Sequence, residues 1–265
     1  PNRQNTMRRS LLLLFAGAPL AYAPAALQGK ELYEALYATG WGKDTRVSQG
    51  AKLLHTIRNM RRQGAAIDSV LDVGCSHGNV VAELWQSGIV ASGVDIARGA
   101  ADLATSLHKP PHGRASCNGE GRPCFQAASA TSLPFRDGAF DAIASSDVLE
   151  HVDPSDVRAA TAEFARVARN FLVLKIANRP EGSTLSGSRA GVGKFQGRTF
   201  KDALHQQGYA DRLPTQLHTT VKGNEFWHEE FRRVGFALNR TIPDASWACC
   251  AYVLHRIEPY RPSRE

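Results

Sequence analysis

The chain has 265 residues, 43% of them hydrophobic and 22% charged. That suits one α/β domain with additions and a full core, and it excludes disordered or collagen-like classes. The net charge is +7; Arg3, Arg8 and Arg9 supply three of it, and residues 178–224, with seven basic and three acidic side chains, supply four. The rest is neutral, which leaves no broad basic surface for nucleic acid. The basic stretch faces an anionic partner or simply solvent.

Met7-Arg8-Arg9-Ser10, the apolar run Leu11 to Leu20 and the small residues Ala21, Ala23, Ala25 and Ala26 have the three parts of a secretory leader. The run is too short to span a bilayer as a helix. A plastid-directed bipartite leader and a buried or interfacial helix are the other readings. Residues 1–26 are therefore set apart from the fold. A leader directs the chain to the secretory pathway or an organelle; without one the expectation is cytoplasmic. No membrane span is expected after its removal.

Residues 27–68 read as a helical cap, with helices at 28–37 and 48–62; the second carries the stripe Leu53, Leu54, Ile57, Met60 and stops at Gly64. Strands and helices then alternate. Strands are expected at 70–73, 90–94, 125–128, 140–145 and 171–176, and helices at 79–85, 99–107 and 155–169. This pattern makes a parallel sheet over residues 69–177. Residues 109–123 are a loop rich in Pro and Gly. Cys117 and Cys124 flank its end and are spaced to pair in an oxidising compartment, whereas Cys249 and Cys250 fall in an apolar run that suits buried thiols. Residues 178–224 show seven glycines and little periodicity; they read as an insert over the substrate. Residues 225–265 add a helix at 226–234 and strands at 236–241 and 247–257. The last two strands have no long helix between them, so one enters antiparallel.

The segment Ser69 to Gly78 is a buried strand running into a glycine turn and a helix. Gly74 and Gly78 permit a tight turn and close approach to a ligand, and the following helix start offers free N–H groups. The next strand ends at Asp95, whose carboxylate is placed to accept hydrogen bonds from ribose hydroxyls. The spacing is not G-x-G-x-x-G, which favours a nucleoside over a pyrophosphate cofactor.

These segments resemble the class I S-adenosylmethionine (SAM)-dependent methyltransferases, in particular the methyltransferase type 11 group. Ala130 to Phe135 with Asp137 to Asp141, Ser146 to Val152, and Glu163 to Arg169 match further parts of that group's pattern. The resemblance implies a Rossmann-like, seven-stranded, mostly parallel sheet with one antiparallel strand and helices on both faces. It implies SAM as cofactor, with Asp72, Gly74, Cys75 and Gly78 at the methionine end. It places Asp95 and Ile96 at the ribose, Ser129, Ala130 and Thr131 at the adenine, and Ser146 and Asp147 closing the pocket. Ser129 departs from the group, which usually has an acid there for the adenine amino group.

Methyl transfer to a hydroxyl needs a positioned acceptor and removal of its proton. His151, His218 and His228 are the candidate bases, and His77 is a candidate pocket wall. The basic and aromatic residues of the insert suit an anionic or sugar-like acceptor, and Tyr37 and Trp41 are placed to close the other side. No local cluster has metal-ligand spacing, so no metal is expected. The function expected is methyl transfer to an O or N acceptor on a small molecule or glycan. The alternatives are a catalytically degenerate SAM-binding partner and an NAD-linked oxidoreductase. Nothing in the sequence sets an oligomeric state.

Overall fold

A computed structural model describes residues 24–40, 50–117, 123–178, 180, 194–195, 198–239 and 251–259. Most of the leader, Trp41, Cys249, Cys250 and the centre of the insert lie outside them. The central sheet is built from β1 (Ser69–Val73), β2 (Val90–Asp95), β3 (Phe125–Ala127), β4 (Phe140–Ser146), β5 (Ala168–Lys175), β8 (Phe236–Leu238) and β9 (Ala251–Arg256). Their spatial order is β3-β2-β1-β4-β5-β9-β8. β1 to β5 pair in parallel, and β9 runs antiparallel to both its neighbours. The seven-stranded sheet with one reversed strand is the architecture expected.

Alternation along the strands divides the core into two layers. Leu71, Val73, Ile143, Leu172, Leu174, Tyr252 and Leu254 face one side, where α5 (Val157–Val167) and α7 (Asn224–Arg233) pack through Phe164, Trp227 and Phe231. Val70, Ala142, Ala144, Val173 and Val253 face the other. There α2 (Gly50–Arg62) brings Leu53, Leu54, Ile57 and Met60, and α3 (Asn79–Gln86) brings Val81, Leu84 and Trp85. α4 (Arg98–Leu107) adds Ala104 to this second layer.

Two parts of the chain differ from expectation. Residues 168–170 belong to β5 rather than to the helix before it. Arg169 there is anchored to Asp141 on β4, and Asp141 accepts hydrogen bonds from the Asp68 and Ser69 amides, so tertiary pairing outweighs local helical preference. The insert is not structureless: β6 (Lys194–Phe195) and β7 (Arg198–Thr199) form a hairpin followed by α6 (Phe200–Gln206). The loop before β3 contains a 3-10 turn (Gly113–Ser116), and the Cys117–Cys124 pairing that the spacing allowed is present as a disulfide with Cα atoms 5.3 Å apart.

A third, smaller cluster lies over the carboxyl ends of the strands. α1 (Gly29–Ala38) contributes Leu32, Ala35 and Leu36, which meet Leu27, Leu204 and Leu217. Arg212 ties the two parts together through Glu31 at 2.7 Å and the Ala25 carbonyl at 2.9 Å. Among the described residues no helix is long and apolar enough to cross a membrane.

Candidate active site

The site begins at the turn after β1. Gly74 has φ +79°, and its amide and that of Cys75 donate to the Val94 carbonyl at 2.8 and 2.9 Å, which folds the turn back onto β2. Gly78, also at φ +79°, starts α3 and leaves room for the Phe125 ring, which a Cβ would meet at 2.6 Å. Ser76 takes a positive φ of 48° between them. Its amide donates to Asp95 Oδ2 at 2.9 Å, and the Ala97 amide donates to Oδ1 at 3.0 Å. Asp95 therefore joins the glycine turn to the entry of α4. Tyr37 of α1 adds a side-chain hydrogen bond to the same carboxylate.

Burial dominates the electrostatics. It raises Asp95 to about 6 against amide donors that pull the other way, and burial together with the Asp95 charge raises Asp72 to about 7. Cys75 is pushed up for the same reasons. Two acids in one buried place favour a cation nearby.

A cavity of about 790 Å³ opens above this turn. Gly74, Asp95 and Ile96 line one end, Ala128 to Thr131 the side, and Asp147, Val148, His151 and Val152 the other end. α1 roofs it with Leu32, Tyr33 and Tyr37, and residues 213–217 and Thr219 close it. Asp72, Cys75, Gly78 and Ser146 are not among the lining residues. Asp72 and Cys75 are buried beneath the turn; Ser146 donates to Asp147 Oδ2 at 2.8 Å. Ser129 Oγ lies 2.8 Å from Thr131 Oγ1 and accepts the Thr131 amide at 3.2 Å. The loop holding them is pinned from α5: Glu163 accepts the Leu133 amide, and Arg166 binds Glu163, Asp137 and the carbonyls of Leu133 and Phe135.

The candidate histidines separate. His228, on α7, packs edge-on against Tyr252 at 5.4 Å and does not line the cavity. His77 is buried against Tyr37. His151 and His218 come together, with ring centroids 4.8 Å apart. His151 Nδ1 donates to the Leu217 carbonyl at 3.0 Å, a tautomer set by the partner, since a carbonyl only accepts. Burial and the neighbouring His218 hold His151 neutral, lowered to about 4. Its Nε2 lone pair is thus available to a proton or a cation.

Sequence reading passed over three residues here. Glu150 is fully buried and lies against the two histidines. Lys175, from the end of β5, binds both oxygens of Asp147 at 2.6 Å. Glu34 accepts the Arg98 and Gly99 amides at 2.7 and 3.3 Å and so docks α1 on the start of α4. Only Glu150 had a local signal, its place beside His151. Of the insert's basic residues with described side chains, none lines the cavity; Arg212 is taken by Glu31 and Lys222 sits over Phe226.

Residues 71–171 match the family described as a methyltransferase domain. The chain is 31% identical over 129 residues to the O-methyltransferase resE of Aspergillus sclerotiorum, covering 46% of each protein. It is 35% identical over 133 residues to the ubiquinone biosynthesis O-methyltransferase of Pseudomonas fluorescens, covering 47% of this chain and 52% of that one. The chain spans about half the length of the curated relatives it matches. Among solved structures, the magnesium protoporphyrin IX methyltransferase of Synechocystis with bound SAM superposes with a TM-score of 0.54. It is 17% identical and covers 88% of this chain and 99% of that one. A chain of the Haloferax volcanii complex of the Trm112 activator with a methyltransferase superposes equally well, at 14% identity over 89% of this chain and 100% of that one. Over residues 71–171 the chain is therefore similar to methyltransferase domains, and it shares the fold of the SAM-bound structure. Within the matched residues lie the glycine turn, Asp95, the 129–138 loop and the turn holding Glu150 and His151; α1 and the residues that present His218 lie outside them.

Proposed function

We propose that the cavity binds SAM along the line from Gly74 through Asp95 to Ser129, and that the chain transfers its methyl group to an oxygen of a small molecule or sugar held at the His151 end. The observation that carries this reading is Asp95. It is buried, fixed by two amides at the tip of β2, and exposed to the cavity where a ribose would present its hydroxyls. The buried acids Asp72 and Asp95 suit a cationic ligand, and the Gly74–Gly78 turn lets backbone approach it closely. When bound, SAM supplies an electrophilic methyl on sulfur. The chain's part is to seat the acceptor between the α1 roof and residues 213–219 and to exclude water. Both curated relatives are named O-methyltransferases, which favours oxygen over nitrogen as acceptor.

Calorimetry with SAM, S-adenosylhomocysteine and NAD tests the donor. Binding of the first two and not the third is expected, with Asp95→Ala weakening SAM by about tenfold or more, or about 1.4 kcal/mol. Absence of SAM binding, or full affinity in Asp95→Ala, would overturn the assignment. A labelled-methyl transfer screen over phenols, sugars, carboxylates and amines then tests the acceptor, and labelling confined to amines would refute the oxygen reading.

A further inference from the structure

We infer that Glu150, His151 and His218 form a site for a divalent transition metal of the zinc type, set at the acceptor end of the cavity. One ligand atom from each residue lies within 4.8 Å of the others. Two histidines and a carboxylate are a donor set that zinc and its neighbours take, with a position left for an outside oxygen.

Three further observations point to a cation. Glu150 is fully buried; its Oε1 accepts the Ala177 amide at 3.0 Å, and its Oε2 is buried without a hydrogen-bond partner. A carboxylate in that condition is costly unless a proton or a cation satisfies it. His151 donates Nδ1–H to a backbone carbonyl, which orients Nε2 as a lone pair in the way that metal-bound histidines are commonly held. The two segments are also stitched rigidly together. The Thr220 amide donates to the Glu150 carbonyl at 2.9 Å, and the hydroxyls of Thr219 and Thr220 donate to the Val152 carbonyl at 2.9 and 2.7 Å. His218 is thus presented to the 149–151 turn by the backbone rather than by chance rotation of a side chain.

The Asp147 carboxylate and the Lys175 ammonium both act on Glu150, and they are paired to each other through both Asp147 oxygens. His151 lines the cavity, so a metal here would offer a Lewis acid to an acceptor oxygen entering beside it. Local spacing gave no hint of such a site, because His218 reaches the other two only through the fold.

The site is independent of the methyl donor, and its test needs no turnover. Tag-free full-length protein, stripped with chelator, is titrated with Co²⁺ and followed by visible absorption, and with Zn²⁺ by calorimetry. One equivalent is expected, with the absorption of four- or five-coordinate cobalt and a rise in Tm. His218→Ala and Glu150→Gln should each weaken binding by about tenfold or more. Far-UV circular dichroism verifies folding, and the partly exposed His218 makes its variant the safer of the two. No binding by the intact protein, or unchanged binding in a folded His218→Ala, overturns the site. SAM affinity measured on the same samples shows separately whether the donor reading stands.

Discussion

Gly74 is where a single missing methyl group shapes the site. Its φ of +79° lies in the region that other residues enter at a cost, and a Cβ there would come within 2.2 Å of Val148 Cγ2. Gly74→Ala therefore carries about 1–2 kcal/mol of backbone strain and about 1–3 kcal/mol of overpacking. A lower Tm is expected, together with weaker binding of any ligand that touches the turn. Adding Val148→Ala should recover the packing part and leave the backbone part, which differential scanning calorimetry of the single and double variants will resolve. Asp95 and the glycines were readable from sequence because strand, turn and carboxylate are local. Tyr37 on Asp95, Glu34 on α4 and His218 on the 149–151 turn were not, since each contact is made between segments far apart in the chain.

Among the elements, the loop between β3 and β4 depends on α5 more than on itself. Arg166 donates to two carbonyls and two carboxylates around it, with its side chain about one-third exposed. Arg166→Met leaves those acceptors without their donor and should cost about 1–3 kcal/mol, toward the low end because solvent reaches the site. Hydrogen exchange checks the point. Residues 129–138 should exchange faster in the variant while β1 and β4 stay protected, and uniform loss of protection would contradict a local role. This dependence also explains the misplaced end of α5. Sequence reading carried the helix to Arg169, yet Arg256 caps the helix by donating to the carbonyls of Ala165, Ala168 and Arg169, and residue 168 already pairs with Phe140. The hairpin and α6 went unread because their stretch lacks a long apolar period; α6 is held by the burial of Ala203 and Leu204.

For the molecule as a whole, the buried acids at the site set a pH dependence. Asp72 is raised to about 7 and Asp95 to about 6, each from an ordinary value of 3.8. The folded state then binds more protons than the unfolded chain between these values, so both groups subtract stability as pH climbs through that window. Besides burial, Asp95 acts on Asp72, and the Ala97 and Ser76 amides, Glu34 and Tyr37 act on Asp95. Asp72→Asn removes one titration. Its Tm relative to wild type, without ligand, should rise from about pH 5 to about pH 8; a flat or falling difference would show that Asp72 is already ionised in the folded state. The parallel order of β1 to β5 and the reversed final strand were legible because buried strands and helices alternate plainly.

The roof over the cavity belongs to neither main layer. α1 is held by its own small cluster, by Glu34 on the start of α4 and by the Glu31–Arg212 clasp. Whatever occupies the cavity packs against Leu32, Tyr33 and Tyr37. Detaching a helix held by so few contacts costs far less than unfolding the sheet, so a filled cavity, which adds contacts beneath it, should slow hydrogen exchange in residues 29–38.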